Sequence, residues 1–186
     1  VLKDTPAEKR GILDYVVTSG TTVNIILVLG ATGGIILLGN SFLDYYFLFP
    51  LMLIALPFQF LFDTGTFSLR ALFKNRAFAI LSVVAIIVVW TAKIVGATGF
   101  GLIGAIASWP VAYSLIAIAV LLYLYFVVFK KIDSVSVNQL DKKAIRSYSL
   151  QYMVTNGMWA LFMQNDLLMI NLLTGSAEAV ADYRVA

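Results

Sequence analysis

The sequence predicts an all-α membrane protein that crosses the bilayer several times. Of its 186 residues, 61% are hydrophobic and only 12% are charged, whereas charged residues make up about a quarter of a soluble domain. Five apolar stretches are each long enough for the roughly 20 residues that a helix needs to cross a bilayer. Because hydrocarbon offers no partner for a free backbone N–H, and these stretches lack the alternating polarity of barrel strands, we expect helices.

The helix boundaries follow the apolar stretches, which we name A to E. The predicted spans are 16–39 (A), 45–62 (B), 77–95 (C), 101–129 (D) and 153–174 (E). Helix B is expected to extend into the cytoplasm, because Asp63 to Phe73 keeps helix-compatible residues. Pro50, Pro57 and Pro110 each remove a backbone hydrogen bond within B or D and are expected to bend these helices.

Small residues recur one turn apart in two of the predicted helices. They are Gly30 and Gly34 in A, and Gly101, Ala105, Ser108 and Ala112 in D. Because small side chains let helix backbones approach closely, we interpret both sets as packing faces. Thr21 and Asn24 in A are interpreted as partners in hydrogen bonds between helices.

The basic residues predict the orientation of the chain. Eleven of the thirteen lie in the N-terminal segment, the B to C connection and the D to E connection, while Lys93 and Arg184 are the exceptions. Cytoplasmic loops are enriched in Lys and Arg. We therefore expect the N-terminus, the turn at 70–76 and the loop at 130–146 to lie on the cytoplasmic side of the cytoplasmic (inner) membrane.

The D to E connection, 130–146, is the only extended polar stretch and is interpreted as an interdomain linker. Its second half, 139–151, mixes charged and apolar residues, a pattern that suits a helix on the membrane surface. Since the chain starts at Val1 rather than Met and stops at Ala186 in what resembles another helix, we expect a fragment of a longer protein.

Absent residue types limit the possible chemistry. The chain has no cysteine and no histidine, which excludes disulfides, the usual zinc sites, Cys or His nucleophiles and imidazole proton relays. Any catalysis would have to rest on carboxylates, Lys or hydroxyls. We expect no enzyme activity, no metal and no cofactor, although coupling to H⁺ or Na⁺ stays open. No feature indicates a nucleic acid or an obligate protein partner.

A carboxylate within helix E is the main candidate for a functional position. Asp166 lies inside an apolar stretch, where a charge costs a few kcal/mol or more and usually faces protein or a water-filled path. The alternative is an Asp that only hydrogen bonds to a neighbouring helix. The candidate residues of a transport pathway are Asp166, Asn165, Asn156, Lys93, Arg70, Asp63, Gln59 and Asn24.

Helices B and C contribute two of these features. Gln59, Asp63, Thr66 and Arg70 share one face of B, which could line an aqueous cavity or be an ordinary helix end at the interface. Lys93 could attract a phosphate from within a cavity. It could equally extend its ammonium to the nearby interface, which is the simpler interpretation.

Three passages resemble the polysaccharide-biosynthesis flippases, the exporters of O-antigen and lipid-linked oligosaccharide within the MOP superfamily. The passages are SLRALFKNRAFAILSVVAIIVVWTAKIVGATGFGLIGAIAS, YSLQYMVTNGMWALFMQNDLLMINLLTG and AEAVADYRVA. They are similar to helices four to six, helix seven and the start of helix eight of that family. Gln151 and Ala181 depart from the pattern, since many members have Pro and Gly there.

The resemblance implies both a fold and a function. Helices A to E would be helices three to seven of a two-lobed bundle, with 1–129 in the N-terminal lobe and 147–186 at the start of the C-terminal lobe. Its members flip a polyprenyl pyrophosphate glycan across the membrane by alternating access, with membrane lipids and the glycan as partners. The alternatives are a MATE-type exporter of organic cations, a membrane-embedded glycan polymerase or ligase, and a scaffold without transport.

Overall fold

The described part of the chain is helical and contains no strand. The computed structural model describes residues 5–38, 48–130, 132–138, 142–151 and 154–155. Its helices are α1 (Pro6–Leu38), α2 (Leu48–Leu53), α3 (Ala55–Ala71) and α4 (Asn75–Tyr123), which continues as a π-helical turn over Leu124–Val128. Residues 142–151 are also helical. The predicted all-α class is confirmed, whereas the predicted count of five helices is not.

Three helical stretches have the length and composition needed to cross a membrane. They are Pro6–Leu37, Leu48–Ala71 and Asn75–Val128. These stretches correspond to the predicted helices A, B and the pair C and D. The predicted helix E, at 153–174, falls almost entirely outside the described residues. The described chain is thus compatible with a membrane protein.

Helix α1 begins well before the predicted start at 16. Thr5 and Glu8 form a reciprocal cap: the Glu8 N–H donates to the Thr5 hydroxyl at 3.3 Å, and the Thr5 N–H donates to the Glu8 carboxylate at 3.4 Å. Pro6 occupies the first helical position, where its missing N–H costs nothing. A capping box of this kind fixes a helix start whatever the polarity of the following residues, so a boundary drawn from hydropathy alone was wrong.

The predicted helix B is divided into α2 and α3 at Ile54. Pro57, in the first turn of α3, has no N–H to donate to the Leu53 carbonyl, which weakens the helix at this point. The helical extension predicted for B is present, since α3 continues to Ala71, while its cytoplasmic location stays a prediction. It ends with Phe73 at a φ of 57° and the Lys74 N–H bonded to the Leu69 carbonyl at 2.9 Å, as in a Schellman motif.

Helix α4 contains the predicted helices C and D joined by a reversal at one residue. Gly101 has φ 62° and ψ −144°, a combination that is essentially restricted to glycine. Below this turn the backbones of Gly96 and Gly104 approach so closely that a Cβ on either would collide with the carbonyl of the other. Backbone angles stay helical through Pro110, so the helix is not interrupted there, and the predicted bend stays a prediction.

The hydrophobic core lies where α1 begins and α4 ends. It consists of Leu13, Leu69, Val120, Leu124 and Phe129, each at most 4% exposed. Gly65 of α3 lies against the Val120 side chain, so α3 and α4 pack closely here. This core fixes the relative positions of α1, α3 and the second half of α4.

The small-residue faces predicted for A and D have different outcomes. In D, Ser108 contacts the position of a Cβ on Gly96, and Ala112 is 1% exposed, so this face is a packing surface. In α1, a Cβ on Gly30 or Gly34 would meet nothing within 4 Å. Among the described residues, the Gly30 face is therefore not in contact with another helix.

The chain divides into two compact units within the polar connection at 130–146. One unit comprises residues 2–137, and the other begins at Asn138. In the second unit the Lys142 N–H bonds to the Asn138 carbonyl at 3.0 Å as the helix at 142–151 starts. A helix was predicted for 139–151 and is confirmed over these residues, while its position on a membrane surface stays a prediction.

Candidate functional site

The α4 reversal places Lys93 beside two tryptophans. The Lys93 ammonium lies 4.7 Å from the centre of the Trp109 ring and 5.5 Å from that of Trp90. Its side chain is half-buried, whereas Trp90 is 62% exposed. An ammonium over an indole face is attracted by the negative charge on that face, most strongly where water is excluded. Lys93 is thus held within an apolar helix pair by aromatic partners.

Trp109 leads from this cation toward α3. Its ring centre lies 6.4 Å from that of Tyr113, one helical turn further along α4. Tyr113 meets Phe62 edge to face at 6.2 Å and interacts electrostatically with the Asp63 carboxylate. Five polar or aromatic groups therefore form a line across the α4 reversal and α3, which we call the Lys93–Asp63 line: Lys93, Trp109, Tyr113, Phe62 and Asp63.

The sequence interpretation found the two ends of this line but not its middle. Lys93 and Asp63 were selected for their charge, whereas Trp109 and Tyr113 were not among the candidates. Two signals could have indicated them: they are spaced one turn apart on D, and Trp109 is as far after Gly101 as Lys93 is before it. A reversal at Gly101 therefore brings Trp109 level with Lys93.

The polar stripe predicted on helix B is not uniform in the structure. Gln59 and Asp63 are half-buried in α3. Thr66 is 3% exposed, and its hydroxyl donates to the carbonyls of Phe62 at 2.9 Å and Asp63 at 3.1 Å. Its polarity is thus satisfied within α3, so it belongs to a packing surface rather than to an aqueous wall.

Arg70 lies beyond this stripe and apart from Lys93. It is exposed near the end of α3, with its guanidinium 6.0 Å from the centre of the Phe78 ring. Phe78 belongs to the first turn of α4, near the predicted cytoplasmic surface, whereas Lys93 lies toward the Gly101 reversal. The two candidate cations are therefore not brought together.

The two polar side chains of α1 that were predicted to bond between helices do not do so among the described residues. The Asn24 amide donates to the Gly20 carbonyl at 2.9 Å, so the predicted hydrogen bond between helices is not formed by this side chain among the described residues. The Thr21 hydroxyl is buried and, within the described part of the chain, has no hydrogen-bond partner. The remaining candidates, Asn156, Asn165 and Asp166, lie outside the described residues.

The Lys93–Asp63 line offers one cation, one carboxylate and one phenol within apolar helices. Such groups can hold an anion at one end and hydroxyl groups at the other. Within residues 5–38, 48–130 and the short described stretches after them, no three His, Cys, Asp or Glu side chains lie close enough to hold a metal ion. No family model matches the chain, and no curated protein or solved structure matches it.

Proposed function

We propose that this chain is part of a membrane transporter that flips a lipid-linked oligosaccharide, a polyprenyl pyrophosphate glycan, by alternating access. The observation that carries the proposal is the position of Lys93, a cation half-buried in an apolar helix pair and flanked by Trp90 and Trp109. An ionisable residue kept inside a membrane span usually serves a substrate or ion pathway. The resemblance of three passages to the polysaccharide flippases supports the same function.

The physical task is to carry a hydrated glycan and its pyrophosphate past hydrocarbon. A charged group enters hydrocarbon only at a high free-energy cost, which a polar cleft open to one side at a time avoids. Lys93 supplies a positive charge for the pyrophosphate, and Arg70 supplies another at the cytoplasmic end. Asp63 and Tyr113 have the acceptor and donor groups that sugar hydroxyls need.

Asp166 completes this proposal from the second lobe, beyond the described residues. It has either a proton- or cation-linked role or a contact with a sugar hydroxyl. The lobes comprise 1–129 and the chain from 147 onward, joined by the polar connection at 130–146. Rocking of one lobe against the other is the motion that would expose the cleft to each side in turn.

Deletion of the gene in cells that produce the surface glycan tests the function. We expect surface polysaccharide to be lost while its lipid-linked precursor accumulates on the cytoplasmic side, with recovery when the full-length protein is restored. Lys93→Met in that protein should restore export much less well than the unchanged protein, whereas the exposed Lys74→Met should restore it fully. Normal export in the deletion strain would contradict the proposal.

The same strain separates the alternatives. If the chain were part of a MATE-type exporter, deleting its gene would leave the glycan unchanged and alter the tolerance of the cells to organic cations. If the chain were part of a polymerase or ligase, deleting its gene would leave glycan units on the outer surface that have been flipped but not polymerised or ligated. A scaffold would be insensitive to Lys93→Met, because its contribution would depend on folding alone.

A further inference from the structure

A second polar cluster joins the base of α1 to the end of α4. Arg10 donates through Nη1 to the carbonyls of Ile132 and Phe129, the latter at 3.4 Å. Phe129 is the residue that ends the π-helical turn, where a helix carries a partial negative charge, and its carbonyl also accepts the Ile132 N–H at 3.1 Å. The Arg10 guanidinium thus caps the end of the helix and at the same time holds the chain that leaves it.

Asp14 and Tyr125 orient Arg10 from the opposite side. The Tyr125 hydroxyl donates to Asp14 Oδ1 at 2.6 Å, and Asp14 Oδ2 lies 3.9 Å from Arg10 Nε. The guanidinium carbon is 5.8 Å from the centre of the Tyr125 ring. Tyr125 and Asp14 therefore contact Arg10 but do not themselves hold the chain after Phe129.

The segment 132–137, which we call the strap, runs directly over the first turns of α1. The Val135 N–H donates to the Ala7 carbonyl at 3.4 Å. A Cβ on Gly11 would collide with the Val135 carbonyl, so glycine is required for this close approach. The strap is therefore docked on α1 through backbone groups and the Arg10 side chain.

The strap and Phe129, which lies shortly before it in the chain, are buried to very different degrees. Phe129 is 2% exposed in the hydrophobic core, and its N–H is bonded to the Leu124 carbonyl at 2.8 Å. Residues 133–136, by contrast, are exposed, and Val135 is 51% exposed. Within the strap, Ile132 packs against the core and is only partly buried. Lifting the strap would thus uncover this one apolar side chain, while lifting Phe129 would open the core.

One of the hydrogen-bond donors of Arg10 also has no partner among the described residues. Its Nε is buried and has no hydrogen-bond partner among the described residues, since 3.9 Å to Asp14 is too long for one. The side chains of Arg10 and Asp14 are 27% and 33% exposed, so water can replace their contacts. Apart from the backbone bond between Val135 and Ala7, the strap is tied by this one partly exposed side chain, whose contacts can break and re-form.

We propose that the strap is a reversible latch, held on the base of α1 by Arg10 and hinged beside the buried Phe129. Its release frees residues 132–137 and leaves α1, α4 and the hydrophobic core intact. Arg10 is a positioning residue in this latch, because its bond to the Ile132 carbonyl holds the strap against α1. The latch is a property of the fold and does not depend on the proposed function.

Disulfide crosslinking of the strap to α1 tests the latch. The chain has no cysteine, so Ala7→Cys with Val135→Cys provides one defined pair in the full-length protein in membranes. With copper phenanthroline as oxidant, we expect this pair to form a disulfide readily. Adding Arg10→Gln should slow its formation several-fold, and Arg10→Lys should have an intermediate effect, because an ammonium matches two carbonyls less well than a guanidinium.

Two controls make the result specific to Arg10. Arg76→Gln removes another cytoplasmic-side charge, at an exposed position, and should not change the rate. Tyr125→Phe removes the bond to Asp14 and should change it little, because Tyr125 does not contact the strap. Crosslinking of the Arg10→Gln protein at the original rate would overturn the latch, as would an equal loss in Tyr125→Phe.

Helix content measured by circular dichroism separates a latch from a folding role. The Arg10→Gln protein should keep its helix content, while cleavage by added protease increases between residues 132 and 138. If helix content falls in parallel with crosslinking, Arg10 is needed to fold the helices and the latch is overturned. Val135→Pro, which removes the bond to Ala7 without altering Arg10, should increase the same cleavage, and its failure to do so would contradict docking of the strap.

Discussion

The Lys93 ammonium lies 4.7 Å from the centre of the Trp109 ring, with the reversal at Gly101 midway between them in sequence. This contact joins the half of α4 before Gly101 to the half after it. It also places a positive charge where a cation has to be stabilised by its surroundings. The hairpin geometry and the candidate site therefore depend on the same turn.

Replacing Lys93 by Met removes the charge and keeps a side chain of similar length. We expect the rate of flipping of a lipid-linked glycan to fall roughly ten- to hundredfold, since a charge-assisted contact contributes about 1.5 to 3 kcal/mol. Lys93→Arg should retain most of the activity. Leaflet-resolved detection of the glycan in membrane vesicles measures the rate, and unchanged flipping by Lys93→Met would remove this residue from the pathway.

The reversal itself is tested at Gly101. With φ 62° and ψ −144°, Gly101→Ala forces a side chain into strained backbone and should lower the free energy of unfolding by about 1 to 3 kcal/mol. Gly99→Ala is the matched control, because it adds a methyl group in open space within the helix. Unfolding in detergent micelles followed by circular dichroism gives both values, and equal stability of the two variants would argue against the reversal.

Asp166 can be tested without a structure of its surroundings. Asp166→Asn keeps the size of the side chain but cannot carry a negative charge or exchange a proton. We expect glycan export to be impaired while the amount of protein in the membrane stays unchanged. Immunoblotting and surface-glycan staining measure the two quantities, and normal export would leave Asp166 with at most a structural hydrogen bond.

The orientation predicted from Lys and Arg is tested by labelling single cysteines, since the chain has none. Asn75→Cys, Thr98→Cys and Lys143→Cys occupy exposed positions. A membrane-impermeant maleimide added to intact cells should label only Thr98→Cys, and the other two should react after permeabilisation. Labelling of Asn75→Cys in intact cells would contradict the proposed orientation.

Much of the fold was accessible from the sequence because hydrocarbon imposes simple requirements. Long apolar stretches located the helices, and Pro57 correctly indicated a weak point in B. The start of α1 was placed too late, although Thr5, Pro6 and Glu8 form a recognisable capping box. Hydropathy reports where a helix is apolar, and α1 starts in a polar segment.

The candidate site was less accessible because it depends on contacts between distant parts of the chain. Lys93 was visible as a charge in an apolar stretch, but its position over Trp109 requires knowing that the chain reverses at Gly101. The bond between Tyr125 and Asp14 likewise joins the end of α4 to α1. Such pairs follow from tertiary packing, which periodicity along one helix does not report.

The most direct measurement is flipping by the purified full-length protein in lipid vesicles. A polyprenyl pyrophosphate glycan is placed on both leaflets, and a lectin or glycosidase added outside detects only the outer one. Alternating access predicts that all of the glycan becomes accessible when the protein is present, and that Lys93→Met slows the approach to that value. If accessibility stays at half with the folded protein present and any required ion gradient applied, the chain does not flip this lipid and the proposed function is wrong.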